Sequence, residues 1–256
     1  DLPRETASAP MPSPPSATTP PDDPNALVYF LGAFAVVVLA FVVRAALAAR
    51  IGLSDNEALI YAASRNLGLG YFEQAPLPAY LAALGRLFFG DTTFALRFFG
   101  LLASSATALT LYLVATSFYQ SRRAGFYAAF LFSFTPVVFV QGASALGWSV
   151  LGFFWLLAAL AAQHAARHDK PQNLLLIGLL VGLGFLSHWT MLAFWPLVLL
   201  YLLFNNHRLV RSGWLLWGLI LSFLVVSPLL FWHAEHRFAA ITTLFNGISG
   251  DAAQSS

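Results

Sequence analysis

Long apolar runs separated by short polar turns dominate the chain. A helix needs about 20 mostly apolar residues to cross the hydrocarbon core of a bilayer, and such runs recur between residues 26 and 232. We predict seven spans: residues 26–48, 93–117, 124–141, 145–163, 173–187, 189–204 and 212–232. The pattern therefore predicts an all-α integral membrane protein, a bundle of about seven transmembrane helices.

The two ends of the chain depart from this pattern. Residues 1–25 hold eight of the fourteen prolines, and such a segment cannot bury enough apolar surface to offset its chain entropy. We predict a disordered tail there and a transmembrane domain over residues 26–245. The chain begins with Asp1, and residues 246–256 follow an apolar pattern that has barely ended. We therefore expect a fragment of a longer chain, in which residues 246–256 begin a further, truncated loop.

The segment between the first two predicted spans, residues 50–91, is amphipathic. It holds four of the chain's eleven acidic residues, Asp55, Glu57, Glu73 and Asp91. We expect amphipathic helices in this first loop, one of them starting with Ser54 or Asp55 as its N-cap.

The amino-acid composition agrees with a membrane protein and argues against a nucleic-acid partner. Only 9% of the residues are charged and 59% are hydrophobic, against roughly 25% charged in a soluble domain. The net charge of +2 is spread over the loops, so nothing predicts a nucleic-acid partner. We expect membrane lipids as partners. The absence of cysteine excludes disulfides and thiolate metal sites.

Basic residues in the short loops predict the orientation, because they favour the cytoplasmic side. They follow the second, fourth and sixth spans: Arg122, Arg123, Arg167, Lys170, Arg208 and Arg211. This parity places the N-terminal tail in the cytoplasm. It places the loop at residues 50–91, the turn at 141–147, the break at 187–190 and residues 233–237 on the outer face.

The first loop carries the best candidates for chemistry. A carboxylate at the membrane surface, beside arginines and aromatic rings, suits deprotonation of an acceptor while cations bind a phosphorylated lipid. The alternative is that Asp55 and Glu57 only cap a helix and favour its dipole. Spacing alone does not decide between the two interpretations.

A family resemblance bears on this choice. The run from Asn56 and Glu57 through Ser64 and Arg65 to the stretch LGLGYFEQAPL resembles the first outer loop of polyprenyl-phosphate-sugar-dependent membrane glycosyltransferases. These are the GT-C enzymes of the protein mannosyltransferase and aminoarabinose transferase type. Three later stretches are also similar to that family: FGDTTFALRFFGLL, LLIGLLVGLGFLSHWTML and SPLLFWHAEHRFAAI.

The resemblance implies a GT-C fold, of which this chain is the N-terminal half, and a location in the bacterial inner membrane. It implies inverting transfer of a sugar from a polyprenyl-phosphate donor to a lipid, glycan or protein acceptor on the outer face. We assign catalysis to Asp55 and Glu57. We assign the donor phosphate to Arg65, Arg97 and His188, and the acceptor to Asn56, Tyr61, Tyr71 and Glu73.

Three positions depart from the family pattern. Asn56 stands where the resemblance implies the catalytic Asp, and an amide cannot accept a proton as a carboxylate does. Trp148 replaces a second Asp, and His188 replaces a Lys. Asp55 directly precedes Asn56 and could restore a base. The departures motivate a rival hypothesis, a catalytically inactive subunit of a membrane complex. A transporter is a further rival, although the sequence shows no inverted repeat.

Histidines offer two further sites. His164 and His168 have the spacing of metal ligands, but a solvated helix end explains them better. His233, Glu235 and His236 lie on the predicted outer side. We assign no metal ligand and no certain cofactor, and leave open a divalent cation held by Glu57 and Glu73.

Overall fold

The computed structural model of the protein describes residues 25–72 and 74–236. All regular elements in this part of the chain are helices. Their bounds are α1 Ala26–Arg50, α2 Asp55–Arg65, α3 Pro76–Phe89, α4 Thr93–Tyr119, α5 Arg122–Phe134, α6 Pro136–Gly142, α7 Trp148–His168, α8 Asn173–Phe185, a 3-10 helix Trp189–Ala193, α9 Phe194–Asn205, α10 His207–Val210 and α11 Gly213–Glu235. The all-α prediction is confirmed for these residues. The predictions for residues 1–24 and 237–256 lie outside them.

Among the described residues, four helices are long and apolar enough to cross a membrane: α1, α4, α7 and α11. The α5–α6 pair, bent by 67° at Thr135, makes a fifth if it is one span. The predicted helical membrane fold is confirmed. The predicted number of seven spans is not confirmed. The predicted spans at 173–187 and 189–204 correspond to shorter apolar helices. At 1.5 Å per residue, the 13 residues of α8 reach only about 20 Å.

Small residues let α8 and α11 pack backbone to backbone. A side chain added at Gly178 would overlap the backbone of Gly218, and one added at Gly218 would overlap the backbone of Leu174. The Ser222 hydroxyl crosses the same contact and donates to the Gly178 carbonyl (2.7 Å). Close approach through small residues is the usual way in which helices associate in a bilayer.

The bundle exposes large apolar side chains along its length. Leu87, Phe204 and Phe223 are 78%, 83% and 66% exposed, and many others on α1, α9 and α11 behave alike. A water-soluble protein rarely exposes continuous apolar patches of this size. The surface instead matches a protein whose solvent is lipid.

A buried arginine lies at the bend between α5 and α6. Arg44 of α1 is 1% exposed and donates to the Ser133 carbonyl (2.5 Å) and to the Ser104 hydroxyl (2.8 Å). Because Pro136 cannot donate and the helix bends here, carbonyls at the end of α5 lose their helical partners. Arg44 therefore stabilises the broken end of α5, as cations do at helix C-termini. Arg44 was not among the predicted functional or structural residues, although a charge inside an apolar run is itself a signal.

The polar loops meet at one end of the bundle. The Leu77 N–H donates to the Leu186 carbonyl (2.9 Å), which joins α3 to the break after α8. The Phe72 ring lies edge-on to Trp232 of α11, with 4.9 Å between ring centroids. The predicted grouping of these loops at one end is confirmed, and the side of the membrane that they face stays a prediction.

Candidate active site

Helix α2 begins with a capping box. The Ser54 hydroxyl accepts the Glu57 N–H (3.4 Å), and the Glu57 carboxylate accepts the Ser54 N–H (3.1 Å). Each residue thus satisfies a backbone donor that the first helical turn leaves free. The expected N-cap at Ser54 is confirmed, and it fixes the direction in which the Glu57 side chain leaves the helix.

Glu57 and Arg97 form a buried two-point ion pair. Arg97 Nε donates to Glu57 Oε1 at 2.8 Å, and Arg97 Nη2 donates to Oε2 at 2.7 Å. Both side chains are only 4% exposed. The Ala145 N–H adds a third donor to Oε1 at 2.9 Å. The pair therefore joins α2, α4 and the turn before α7 at one point.

The remaining donors of Arg97 bind the end of α1. Nη1 donates to the carbonyls of Ala48 (2.8 Å) and Ile51 (2.9 Å), and Nη2 donates to the carbonyl of Gly52 (2.9 Å). A guanidinium has five N–H donors, and here all five have acceptors within the protein. Arg97 has no donor left for a phosphate in this arrangement.

The electrostatics of Glu57 follow from these contacts. Burial alone would raise the pKa of its carboxyl, but the hydrogen bonds from Arg97, the Ala145 N–H and Ser54 outweigh burial and lower the pKa from 4.5 to about 2. A carboxylate with so low a pKa is a poor proton acceptor at neutral pH. Glu57 is therefore held ionised and fully engaged by protein groups.

Beside this pair lies a cavity of about 840 Å³. Its walls come from α2, the loop before α3, the turn before α7, the break after α8 and the end of α11. They are largely aromatic and apolar, with Asn56, Gln74, Ser187, His188 and His233 supplying polar groups. Large apolar pockets with a few converging polar groups are the usual form of small-molecule sites.

Trp148, His188 and Trp189 form a stack in the cavity wall. The His188 ring centroid lies 4.1 Å from that of Trp148 and 5.7 Å from that of Trp189. The Thr190 N–H donates to His188 Nδ1 (3.3 Å), which assigns the proton of the neutral ring to Nε2. Burial lowers the pKa of His188 below 6.5. The ring is therefore a neutral donor at pH 7. Two of the three departures from the family pattern, Trp148 and His188, are thus in contact.

Asp55 and Asn56 point in different directions from the start of α2. Asn56 lines the cavity, whereas Asp55 is exposed and is not among the lining residues. Within the described residues Asp55 makes no ion pair. Its carboxylate is therefore accessible beside a cavity residue, with no cation holding it.

Tyr61 and Arg65 lie on another part of α2, away from the cavity lining. Arg65 Nη1 donates to the Tyr61 hydroxyl (3.2 Å), and both Arg65 and Arg86 lie over the Tyr61 ring. Arg86 also pairs with Asp91 at the start of α4. This cluster joins α2, α3 and the loop that follows them.

Tyr71 lines the cavity, and its hydroxyl accepts the Gly68 N–H (3.1 Å) and lies 3.1 Å from the Ala63 carbonyl. Glu73, the remaining predicted acceptor residue, lies outside the described residues. No group of three or more metal-ligating side chains occurs in the part of the chain that the structure describes.

Most of the cavity lining was not predicted from the sequence; Phe72, Trp189 and Leu229 are examples. Phe72 and Trp189 lie on segments that were predicted to face the outer side, so shared sidedness was a usable signal for them, whereas Leu229 lies within the predicted span 212–232. Apolar residues gave no sign of which ones would face a cavity and which would face lipid.

Comparison with known proteins places this chain in a family. The family model described as dolichyl-phosphate-mannose-protein mannosyltransferase matches residues 73–232, more than half of the chain. The undecaprenyl phosphate-alpha-4-amino-4-deoxy-L-arabinose arabinosyl transferases of Aeromonas hydrophila and Aeromonas salmonicida are each 29% identical to it, over 68% of this chain and 36% of the relative. One such protein of Sodalis glossinidius is 36% identical over 47% of this chain and 22% of its own length. The chain thus spans about a third of the length of the first two relatives. No solved structure matches it at comparable significance.

Proposed function

Because the chain belongs to the dolichyl-phosphate-mannose-protein mannosyltransferase family, we propose that it forms part of a membrane glycosyltransferase. The enzyme transfers a sugar from a polyprenyl-phosphate donor to an acceptor on the outer face of a bacterial inner membrane. The observation that carries this proposal is the aromatic cavity of about 840 Å³ at the end of the bundle where the polar loops meet. The names of the relatives support an undecaprenyl-phosphate donor.

The cavity, together with the exposed Asp55 next to the lining residue Asn56, supplies the groups that such a transfer needs. An acceptor hydroxyl attacks the anomeric carbon of the sugar as the bond to the phosphate oxygen breaks, and polyprenyl phosphate leaves. This single displacement inverts the configuration at that carbon. In the proposal, Asp55 takes the proton of the acceptor, because its carboxylate is accessible and unpaired within the described residues. The Nε2–H of His188 donates to the donor phosphate, and Asn56 and Tyr71 contact the acceptor.

Glu57 and Arg97 take a different role in this proposal from the one that their sequence positions suggested. Glu57 and the carbonyls at the end of α1 together use every donor of Arg97, and the carboxylate is held ionised. They support the site by fixing α2 against α4 and against the turn that carries Ala145. We assign them to positioning, and Arg65 to the cluster around Tyr61.

A release assay with the purified full-length protein tests the proposal. Radiolabelled undecaprenyl-phosphate sugars are supplied, and free polyprenyl phosphate is measured for the wild type and for Asp55→Asn. Loss of a general base typically lowers the rate by about 10²- to 10⁴-fold. Asp91→Asn is the matched control, because Asp91 lies in the same loop but pairs with Arg86. Equal rates for wild type and Asp55→Asn would remove Asp55 from the mechanism.

A catalytically inactive subunit is the second candidate. One observation favours it: the cavity presents the amide of Asn56 where the family resemblance implies a carboxylate. This candidate predicts no release of polyprenyl phosphate from any sugar donor by a well-folded protein that copurifies tightly with partner proteins. Release by the wild type excludes it.

A further inference from the structure

A second concave surface lies at the opposite end of the bundle from the candidate active site. It is a groove of about 690 Å³ on the face of α7, between α4 and α9. Trp155, Leu156, Leu160 and Leu197 are among its apolar walls. We call it the α7 groove.

The α7 groove is polar at one end only. Gln163, Arg167 and Asn205 lie at the end where α7 and α9 finish, and the rest of the lining is almost entirely apolar. The Arg167 guanidinium lies over the Phe118 ring, 5.8 Å from its centroid. Within the described residues Arg167 forms no ion pair, so its charge is free to meet an anion at the mouth of the groove.

Six of the eleven Lys and Arg residues in the described part of the chain lie at this end: Arg122, Arg123, Arg167, Lys170, Arg208 and Arg211. Asn206 donates to the Ala166 carbonyl (3.3 Å) and to the Asp169 carboxylate (2.9 Å), which brings the start of α10 against the end of α7. Arg208 follows two residues after Asn206, and Lys170 follows Asp169 directly. The Asp169 carboxylate thus accepts a hydrogen bond from the Asn206 amide, and Arg208 and Lys170 add positive charge nearby.

The length of the groove matches one leaflet of a bilayer. From Trp155 to Arg167 α7 advances twelve residues, or about 18 Å at 1.5 Å per residue. Half of a hydrocarbon core is about 15 Å thick. A lipid whose headgroup lies at Arg167 would therefore extend its acyl chain along the groove to the level of Trp155.

From the apolar length, the single polar end and the unpaired cation, we propose that the α7 groove binds an anionic phospholipid of the leaflet at the basic end of the bundle. The phosphate accepts hydrogen bonds from Arg167 and Gln163, and one acyl chain lies against Trp155. Basic pockets between transmembrane helices bind anionic headgroups on the cytoplasmic side of membranes, which is the side predicted for this end of the bundle. The site is separate from the cavity near α2 and does not depend on the proposed enzymatic activity.

Quenching of tryptophan fluorescence tests the proposal on the full-length protein in neutral detergent. Phosphatidylglycerol with brominated acyl chains is titrated, because bromine quenches an indole that it contacts. We expect a saturable quenching component that is absent in Trp155→Phe. Arg167→Gln should weaken the apparent affinity at least tenfold. Arg211→Gln, which removes a basic residue of the same end outside the groove lining, should leave it unchanged.

Two comparisons can overturn the proposal. Brominated phosphatidylethanolamine with the same chains, in which an ammonium group neutralises the phosphate, should bind several-fold more weakly. Equal binding of both lipids would mean that the groove does not select a lipid with a net negative headgroup, and would overturn the proposal. A titration with no component dependent on Trp155 would mean that something else, such as another protein segment, fills the groove. Ala159→Phe narrows the groove without touching its charge, and it should reduce quenching while the melting temperature stays within a few degrees of wild type.

Discussion

Removal of Glu57 should leave the Arg97 guanidinium buried and charged with no carboxylate beside it. The three carbonyls at the end of α1 remain as acceptors, but Nε and one proton of Nη2 lose theirs. Breaking a buried pair by removing one partner costs about 3–5 kcal/mol. At 1.4 kcal/mol per factor of ten, Glu57→Ala should raise the unfolding equilibrium constant by about 100- to 4,000-fold.

The assay is reversible unfolding in mixed micelles, followed by the loss of helical circular dichroism. Glu57→Ala, Arg97→Ala and the double variant form a double-mutant cycle. Because the double variant leaves no orphaned charge, its loss of unfolding free energy should be smaller than the sum of the single losses. Asp91→Ala is the control: Asp91 is 51% exposed in its pair with Arg86, and such surface pairs contribute about 0–1 kcal/mol.

The same pair predicts a pH dependence. The pKa of Glu57 is about 2 in the folded protein, against 4.5 for an unperturbed glutamate such as that of the unfolded chain. A lowered folded-state pKa gives stability that is complete above pH 4.5 and is lost as the pH falls towards 2. The difference corresponds to about 3 kcal/mol, and Glu57→Ala should lack this loss. Additive single effects together with an unchanged acid profile would refute the reasoning.

Three further changes have predictable outcomes. Gly178→Leu should lower the melting temperature sharply, because its side chain would overlap the facing backbone of α11; overpacking typically costs about 1–3 kcal/mol. Ser54→Ala removes the cap of α2 and should cost about 1 kcal/mol in unfolding free energy. Ser104→Ala deprives the buried Arg44 of an acceptor and should cost about 1.5–3 kcal/mol. Ser105→Ala removes a hydroxyl that bonds within its own helix, so near-equal losses for the two serines would contradict the role given to Arg44.

The hydropathy pattern predicted where the apolar helices of the described chain lie, but it did not predict which of them are long enough to cross a membrane. The break at residues 187–190 was predicted, but the run over residues 173–204 is apolar throughout except near His188. Composition therefore did not show that the helices on either side of the break are shorter than a span. The bend at Thr135 was not predicted either, because the residues on both sides of it are apolar. Pro136 was the one local indication of a bend. Apolar composition reports contact with lipid, whereas span length depends on where backbone hydrogen bonds are interrupted.

The candidate site was partly accessible from sequence. Ser54 and Asp55 predicted the start of α2, because the preference for such residues at an N-cap is local. The partner of Glu57 was not predictable, since Arg97 lies 40 residues away and an arginine in that position serves equally well to bind a phosphate. The contact between Trp148 and His188 joins two helices and has no local signature.

The ion pair also sets an order of events during synthesis. Chains emerge N-terminus first, so α1 and the segment that becomes α2 leave the ribosome before Arg97 exists. Until α4 enters the bilayer, the last carbonyls of α1 and the Glu57 carboxylate lack the Arg97 guanidinium that binds them in the folded protein. Ala145 arrives later still, after the bent α5–α6 pair. The first loop therefore reaches its final form only after more than half of this chain has been synthesised, because Glu57 needs contacts from both Arg97 and Ala145.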